Sequence, residues 1–125
     1  MIFLGNSHEI DRILCFSDLF LLPSETESFG LAALEAMINK VAVVSTNTGG
    51  IPEVNVQGET GYLSDVGDVD SMIAQSIRVL QDPEKLESYK NKAYTRAMTF
   101  DIQHILPLYE SVYEKAYAQR HKNAY

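Results

Sequence analysis

The sequence has one cysteine, no apolar run of membrane-spanning length and few basic residues, and each lack removes a class of function. Cys15 alone cannot close an internal disulfide, and no cysteine spacing suits a metal. A single thiol points to a reducing compartment, the cytosol, and the protein is expected to be cytoplasmic. No segment reaches the roughly 20 apolar residues needed to cross a bilayer. The opening Met1-Ile2-Phe3-Leu4-Gly5 has neither the basic region nor the long apolar stretch of a signal peptide. Lys and Arg number 10 against 17 Asp and Glu, a net charge of −7, which argues against nucleic acid or anionic lipid as a partner. An anionic small ligand is still allowed, because backbone N–H groups can bind phosphate inside an acidic protein. The fingerprint G-x-G-x-x-G is absent, which speaks against a generic dinucleotide binder. There is no internal repeat, low-complexity tract or interdomain linker, and no acidic pair at metal-ligand spacing.

The 125 residues have room for a single domain with a modest core. A hydrophobic fraction of 46% and a charged fraction of 22% are those of an ordinary globular protein. Residues 1–67 alternate short apolar runs with helical patterns, the mark of α/β units on a parallel sheet. Ile2-Phe3-Leu4 reads as the end of a strand closed by Gly5-Asn6, with Asn6 as N-cap and Glu9 as its capping-box partner. Ile10, Ile13, Leu14 and Phe16 form a helical stripe. Leu19–Leu22 is a continuous apolar run stopped by Pro23, as expected of a strand covered on both faces. Phe29–Ile38 reads as a buried helix, Val41–Ser45 as a β-branched strand, and Pro52 suits the first turn of a short helix. Tyr62-Leu63 is a short strand after the turn-like Gln57–Gly61. Residues 68–125 read as helical throughout, about Val69–Leu80, Pro83–Thr99 and Ile102–Ala118. The expected fold is therefore α/β: a partial Rossmann-like parallel sheet of about four strands, followed by an all-helical segment. Four strands, one of them a stub, are few for a stable parallel sheet, so the domain is expected to be incomplete at its N-terminus.

The informative segment is Glu25-Thr26-Glu27-Ser28-Phe29-Gly30-Leu31-Ala32-Ala33-Leu34-Glu35-Ala36-Met37. Glu35 is the only charged side chain between Ser28 and Ile38, and an ionised carboxylate among apolar neighbours is costly without partners. Eight residues of helix would separate the α-carbons of Glu27 and Glu35 by roughly 12 Å. Two acceptor-only groups at that spacing can hold hydroxyls at opposite ends of a folded sugar nucleotide. Between them, the N–H groups of Phe29, Gly30 and Leu31 are free donors at a helix N-terminus, which carries partial positive charge and suits a diphosphate. Gly30 would let a ligand approach the backbone. No Lys or Arg occurs from Ile13 to Asn39, so the backbone must supply the local phosphate contacts. The plainer alternative is a helix cap at one end and, at the other, a solvated or cross-paired Glu35, with Lys40 as its partner.

The pattern Glu27-x7-Glu35 within Ser-Glu-x-Glu-Ser-Phe-Gly-Leu-x-x-Leu-Glu-Ala-Met resembles the signature of retaining GT-B glycosyltransferases of glycosyltransferase family 4 (group 1). Phe3-Leu4-Gly5, Ser17-Asp18 and Leu22-Pro23-Ser24 precede it in the family's order, and Gly49-Gly50-Ile51-Pro52-Glu53-Val54 and Gly58-x-x-Gly61-Tyr62-Leu63 follow, so the likeness spans nearly the whole chain. Leu21–Glu25, Gly30–Ala36 and Leu63-Ser64-x-Val66-Gly67-Asp68 bring it nearest to members that carry N-acetylglucosamine from UDP. The resemblance implies the C-terminal, donor-binding half of a GT-B fold. It implies that Glu27 is catalytic, contacting the donor hexose and supporting the reacting centre. Ser28, Phe29, Gly30 and Leu31 would contact sugar and diphosphate, Glu35 the ribose hydroxyls, and Gly5 and Asn6 would lie near the base. It implies a nucleotide-sugar donor as substrate, no metal or other cofactor, and an N-terminal acceptor domain as the missing partner.

Three departures stand out. The small residue, Gly and Pro usual after the Ala-Met helix end are replaced by Asn39, Lys40 and Ala42, and Asn39 is expected to take the left-handed C-cap. The basic residues that grip diphosphate in this family lie upstream of Phe3. The resemblance also leads one to expect an N-terminal domain that this sequence does not contain, and the chain by itself is expected to be inactive. Ile105, Leu108, Tyr109, Val112, Tyr113, Ala116 and Tyr117 form a stripe at helical spacing, which suggests self-association if it is exposed. Packing of that stripe on the sheet is the alternative. His8, His104 and His121 read as surface or structural residues, and Cys15 as a small core or half-buried one. Two functions stand side by side: the donor-binding part of a hexosyltransferase, and a non-catalytic module of the same fold that binds nucleotide or a partner.

Overall fold

The computed structural model describes residues 1–100. In chain order the elements are α1 (Ile10–Cys15), β1 (Leu19–Leu22), α2 (Leu31–Ile38), β2 (Ala42–Thr46), α3 (Ile51–Val54), β3 (Gly61–Ser64), α4 (Val69–Leu80) and α5 (Pro83–Met98). The sheet is parallel, in the order β1-β2-β3. Leu19 pairs with Ala42 and Leu22 with Ser45, while Val43 pairs with Gly61 and Thr46 with Ser64. All three strands therefore end at the same edge.

The α/β class with a helical second half is as expected, but the described sheet has three strands rather than about four. Ile2-Phe3-Leu4 forms no strand, and its side chains are exposed. A strand exists only where a neighbour accepts its backbone bonds, and nothing pairs with this stretch among the described residues. Similarly, Asn6 does not cap α1. Glu9 occupies the cap position without a side-chain bond, and its own N–H is taken by Ser7 Oγ at 3.1 Å. Of the α1 stripe only Leu14 is buried; Ile10, Ile13 and Phe16 stay exposed. The helix expected at about Ile102–Ala118, with its apolar stripe, and both His104 and His121 lie outside the described residues.

The strand β2 is buried along its whole length, and its alternation divides the core. Val43 points to one face, with Leu14, Ala33, Leu34, Met37, Val54, Ala93 and Ala97. Ala42 and Val44 point to the other, with Val79 and Tyr89. On the first face α2 and α5 meet through Ala33, Ala36, Ala93 and Ala97, none more than 2% exposed, and side chains this small let the helices approach closely. Capping sets the later boundaries. Asp68 accepts from the Ser71 N–H at 2.9 Å to start α4, and Asp82 accepts from the Glu84 and Lys85 N–H groups to start α5, with Pro83 in its first turn.

The end of α2 differs from expectation. Asn39 has φ −86°, and Lys40 takes the left-handed conformation at φ 57°. Asn39 is used otherwise: its Nδ2 donates to the Glu35 carbonyl at 3.0 Å and to Asp11 Oδ1 at 3.2 Å, and its Oδ1 accepts from Cys15 Sγ at 3.4 Å. Cys15 is thus exposed rather than part of the core.

Candidate functional site

In a parallel α/β sheet the loops leaving the carboxyl ends of the strands form the natural ligand crevice. Here those loops are residues 23–30 after β1, 47–50 after β2 and 65–68 after β3. The first two are fastened together. The Thr46 hydroxyl donates to the Ser24 carbonyl at 2.6 Å, the Thr48 hydroxyl to the Glu25 carbonyl at 3.3 Å, and the Gly50 N–H to the Ser28 carbonyl at 3.2 Å. The fit leaves no room for side chains. A Cβ on Gly49 would lie 1.6 Å from the Glu27 carbonyl oxygen, and one on Gly50 2.5 Å from that of Ser28. The Gly49-Gly50 pair is therefore the seat of the turn that carries Glu27.

Glu27 is half-buried and folds back on its own turn, with Oε1 accepting from the Gly30 N–H at 3.3 Å. Gly30 is buried at φ +87° and serves as N-cap of α2. Its lack of a side chain answers the backbone conformation; where a Cβ would point lies Ile51, 3.6 Å away, and not open space. The helix starts at Leu31 rather than Phe29, so Glu27 sits in the preceding turn and the rigid spacing expected for one continuous helix does not apply. The free donors shift with the boundary. Gly30 N–H is occupied by Glu27, and the uncapped N–H groups are those of the first turn of α2, from Leu31 onward.

Ser28 and Leu31 are exposed at this edge, and Phe29 is half-buried, its ring edge-on to Phe100 at 5.8 Å. Glu35 is exposed on α2 and makes no ion pair among the described residues. Lys40 does not serve it; the ammonium lies over the Tyr94 ring, 5.4 Å from its centre. Gly5 and Asn6 are apart from the turn, lining a groove of about 640 Å³ with Leu4, His8, Ile13 and Phe20. A smaller hollow of about 150 Å³ opens at the carboxyl edge between Pro23, Glu25, Thr46, Asp65 and Asp68. Neither lining includes Glu27 or Glu35. The structure thus brings Glu27, Ser28, Phe29, Gly30 and Leu31 together, with Glu35 further along the same helix, and sets Gly5 and Asn6 in a separate groove. Among the described residues no three His, Cys, Asp or Glu side chains group as a metal site, and no helix is long and apolar enough to cross a membrane.

One residue of the site's foundation is invisible to motif reading. Asn55 is fully buried beside α3. Its Nδ2 donates to Ser45 Oγ at 2.8 Å, the Tyr62 carbonyl at 3.0 Å and the Val43 carbonyl at 3.3 Å, and its Oδ1 accepts from the Thr60 hydroxyl at 2.7 Å. Thr60 Oγ1 in turn accepts from the Val56 N–H at 2.8 Å. The only sequence signal is polar Asn55 between Val54 and Val56, and nothing local says that it meets Ser45 and Thr60.

Comparison with known proteins bears on family and fold. The family profile "Glycosyl transferases group 1" matches residues 1–96. N-acetyl-alpha-D-glucosaminyl L-malate synthase of Bacillus anthracis is 41% identical over 114 residues, 90% of this chain and 30% of that protein. The chain therefore spans about a third of the length of this relative. Among solved structures, the C-terminal domain of a glycosyl transferase group 1 family protein (LpcC) from Francisella tularensis is 30% identical with a TM-score of 0.70, over 79% of this chain and 51% of that one. Anabaena HepE, solved in complex with UDP, is 23% identical with a TM-score of 0.77, over 92% of this chain and 31% of that one, a likeness of fold. The expected likeness to the C-terminal half of a GT-B enzyme is borne out by these folds.

Proposed function

This chain belongs to the group 1 glycosyl transferases, and on that footing we propose that it is the donor-binding part of an enzyme that moves a hexosyl unit from a nucleoside diphosphate sugar to an acceptor with retention of configuration. The hexose is read as N-acetylglucosamine on the likeness to a relative whose name carries that sugar, and the carrier as UDP, with which a structural neighbour was solved. The acceptor is held by a further domain, in keeping with a relative about three times as long. The observation that carries the reading is the Glu27–Gly30 turn, seated on Gly49-Gly50 and opening into the uncapped first turn of α2.

The chemistry follows from that arrangement. Breaking the bond between sugar and diphosphate leaves positive charge on the sugar and negative charge on the leaving group. The N–H groups of α2 from Leu31 onward face the latter with the positive end of the helix dipole, and preorganised donors of this kind stabilise developing charge most effectively. Glu27, held by the Gly30 N–H through one oxygen, keeps the other for the hexose and its developing charge. Ser28 and Phe29 line the sugar side, Glu35 takes the ribose hydroxyls, and Gly5 and Asn6 take the base. No metal or other cofactor enters this reading.

Titration with UDP-N-acetylglucosamine, UDP and GDP tests it. Binding of the UDP sugar that Glu27→Ala weakens supports the reading, as does loss of transfer when the same substitution is made in the protein that carries this chain. Equal affinity for UDP with and without its sugar favours a non-catalytic nucleotide-binding module. Wild-type turnover in Glu27→Ala refutes the role given to that residue.

A further inference from the structure

The helix α3 spans only Ile51–Val54, with Glu53 N–H on the Gly50 carbonyl at 3.1 Å at its start and Asn55 N–H on the Ile51 carbonyl at 2.8 Å at its end. A helix of one turn does not hold itself together or in place. Yet its N-terminal approach makes the contacts that seat the Glu27 turn: Gly49 under the Glu27 carbonyl, Gly50 N–H on the Ser28 carbonyl, and Ile51 beneath Gly30. What anchors α3 is therefore what anchors Glu27. From α5, the Arg96 guanidinium donates to the Glu53 carbonyl. From the sheet, Asn55 binds β2 through Ser45 and the Val43 carbonyl, β3 through the Tyr62 carbonyl, and the following turn through Thr60.

A buried amide costs free energy unless every partner is in place, and Asn55 is 0% exposed with all its amide hydrogens and its oxygen engaged. Its position decides what that network does. It joins the one-turn helix to β2 and β3 at the point where backbone pairing between those strands cannot reach α3. We infer that Asn55 is a positioning residue for the donor site: it fixes α3, and through Gly49, Gly50 and Ile51 it fixes the Glu27–Gly30 turn. The inference rests on the donor-binding reading for its functional consequence, but the mechanical part stands by itself.

The experiment compares Asn55→Ala with Val79→Ala, a fully buried position on the opposite face of the sheet, in this chain. Amide hydrogen exchange is followed at Gly30 and Gly50 relative to Val44, alongside titration with UDP-N-acetylglucosamine. In Asn55→Ala, exchange at Gly30 and Gly50 is expected to rise at least about tenfold relative to Val44, and sugar-nucleotide affinity to fall by about tenfold or more. Val79→Ala is expected to change neither selectively, although it lowers overall stability. If Asn55→Ala does not fold, Thr60→Val, which removes one partner only, is expected to shift the same two amides in the same direction. Exchange at Gly30 and Gly50 that rises no more than at Val44 overturns the inference. Should the wild-type chain bind no nucleotide sugar, the donor-binding reading fails, and the exchange comparison still decides the positioning role.

Discussion

Gly49→Ala separates a close backbone approach from the ordinary cost of a left-handed residue, with Gly58→Ala as its control. Both glycines have positive φ, +55° and +75°, but a Cβ at Gly58 meets nothing within 4 Å, whereas at Gly49 it lies 1.6 Å from the Glu27 carbonyl oxygen. Gly58→Ala should therefore cost only the conformational term, about 1–2 kcal/mol. Gly49→Ala incurs that cost and must also push the two loops apart. The separation breaks the Gly50 N–H bond to Ser28 and the Thr48 hydroxyl bond to Glu25, at about 0.5–1.5 kcal/mol each. The total is about 2–5 kcal/mol. At roughly 4 °C per kcal/mol for a chain of this size, the Gly49 variant should melt roughly 4–12 °C below the Gly58 variant. Thermal unfolding by circular dichroism measures the difference. Because the displaced partner is the Glu27 backbone, nucleotide-sugar affinity should fall in the Gly49 variant and hold in the other. Equal melting temperatures for the two would refute the claim that the loops are packed backbone to backbone.

Two further outcomes follow from the same coordinates. Lys40 has φ 57° and lies over Tyr94, so Lys40→Gly relieves about 1–2 kcal/mol of strain and loses about 0.5–1 kcal/mol of cation–π attraction; a small net rise in chemical-denaturation midpoint is expected, and a fall contradicts the assigned strain. Tyr89 is pushed up to about 12, chiefly by its hydroxyl contact with Tyr62 at 2.9 Å and then by burial. The folded state then holds a proton that the unfolded chain releases near pH 10. This contribution to stability is whole below about pH 10 and lost as pH rises toward 12. Tyr62→Phe should move the Tyr89 midpoint, followed by phenolate absorbance, back toward the ordinary value, and an unmoved midpoint excludes the hydroxyl pair as cause.

What the residues disclosed in advance depended on whether their causes were local. The strand Leu19–Leu22 and the helix Val69–Leu80 lie where expected, because an apolar run stopped by Pro23 and a cap at Asp68 carry their own boundaries. The start of α2 was misplaced by two residues, since Gly30 sets it through a backbone angle that periodicity does not encode. Lys40 rather than Asn39 takes the left-handed conformation at its end, with the Asn39 amide held by the Glu35 carbonyl and, across to α1, by Asp11. The strand expected at Ile2-Phe3-Leu4 finds no neighbour among the described residues, which no local pattern reveals. Asn55 was unreadable in the same way, as its partners lie on β2, in the turn after Val56 and on β3.

The candidate site was legible by motif because so much of it is backbone. The seat is made by Gly49 and Gly50, the cap by Gly30, and the proposed phosphate donors by N–H groups of α2; the charged side chains are those of Glu27 and Glu35 alone. Where side chains do the recognition, substitutions can be exchanged among neighbours and the pattern blurs. Where backbone approaches backbone at distances that exclude even a methyl group, as at Gly49, the residue has no substitute. The pattern in this sequence is glycines at fixed intervals from two carboxylates. On the proposed reading, an acidic chain with no Lys or Arg between Ile13 and Asn39 offers its anion-binding edge through peptide dipoles rather than charged side chains. Such an edge is only as good as the placement of the peptides that form it. That is why a buried asparagine beside a one-turn helix, far in sequence from Glu27, bears on donor binding at all.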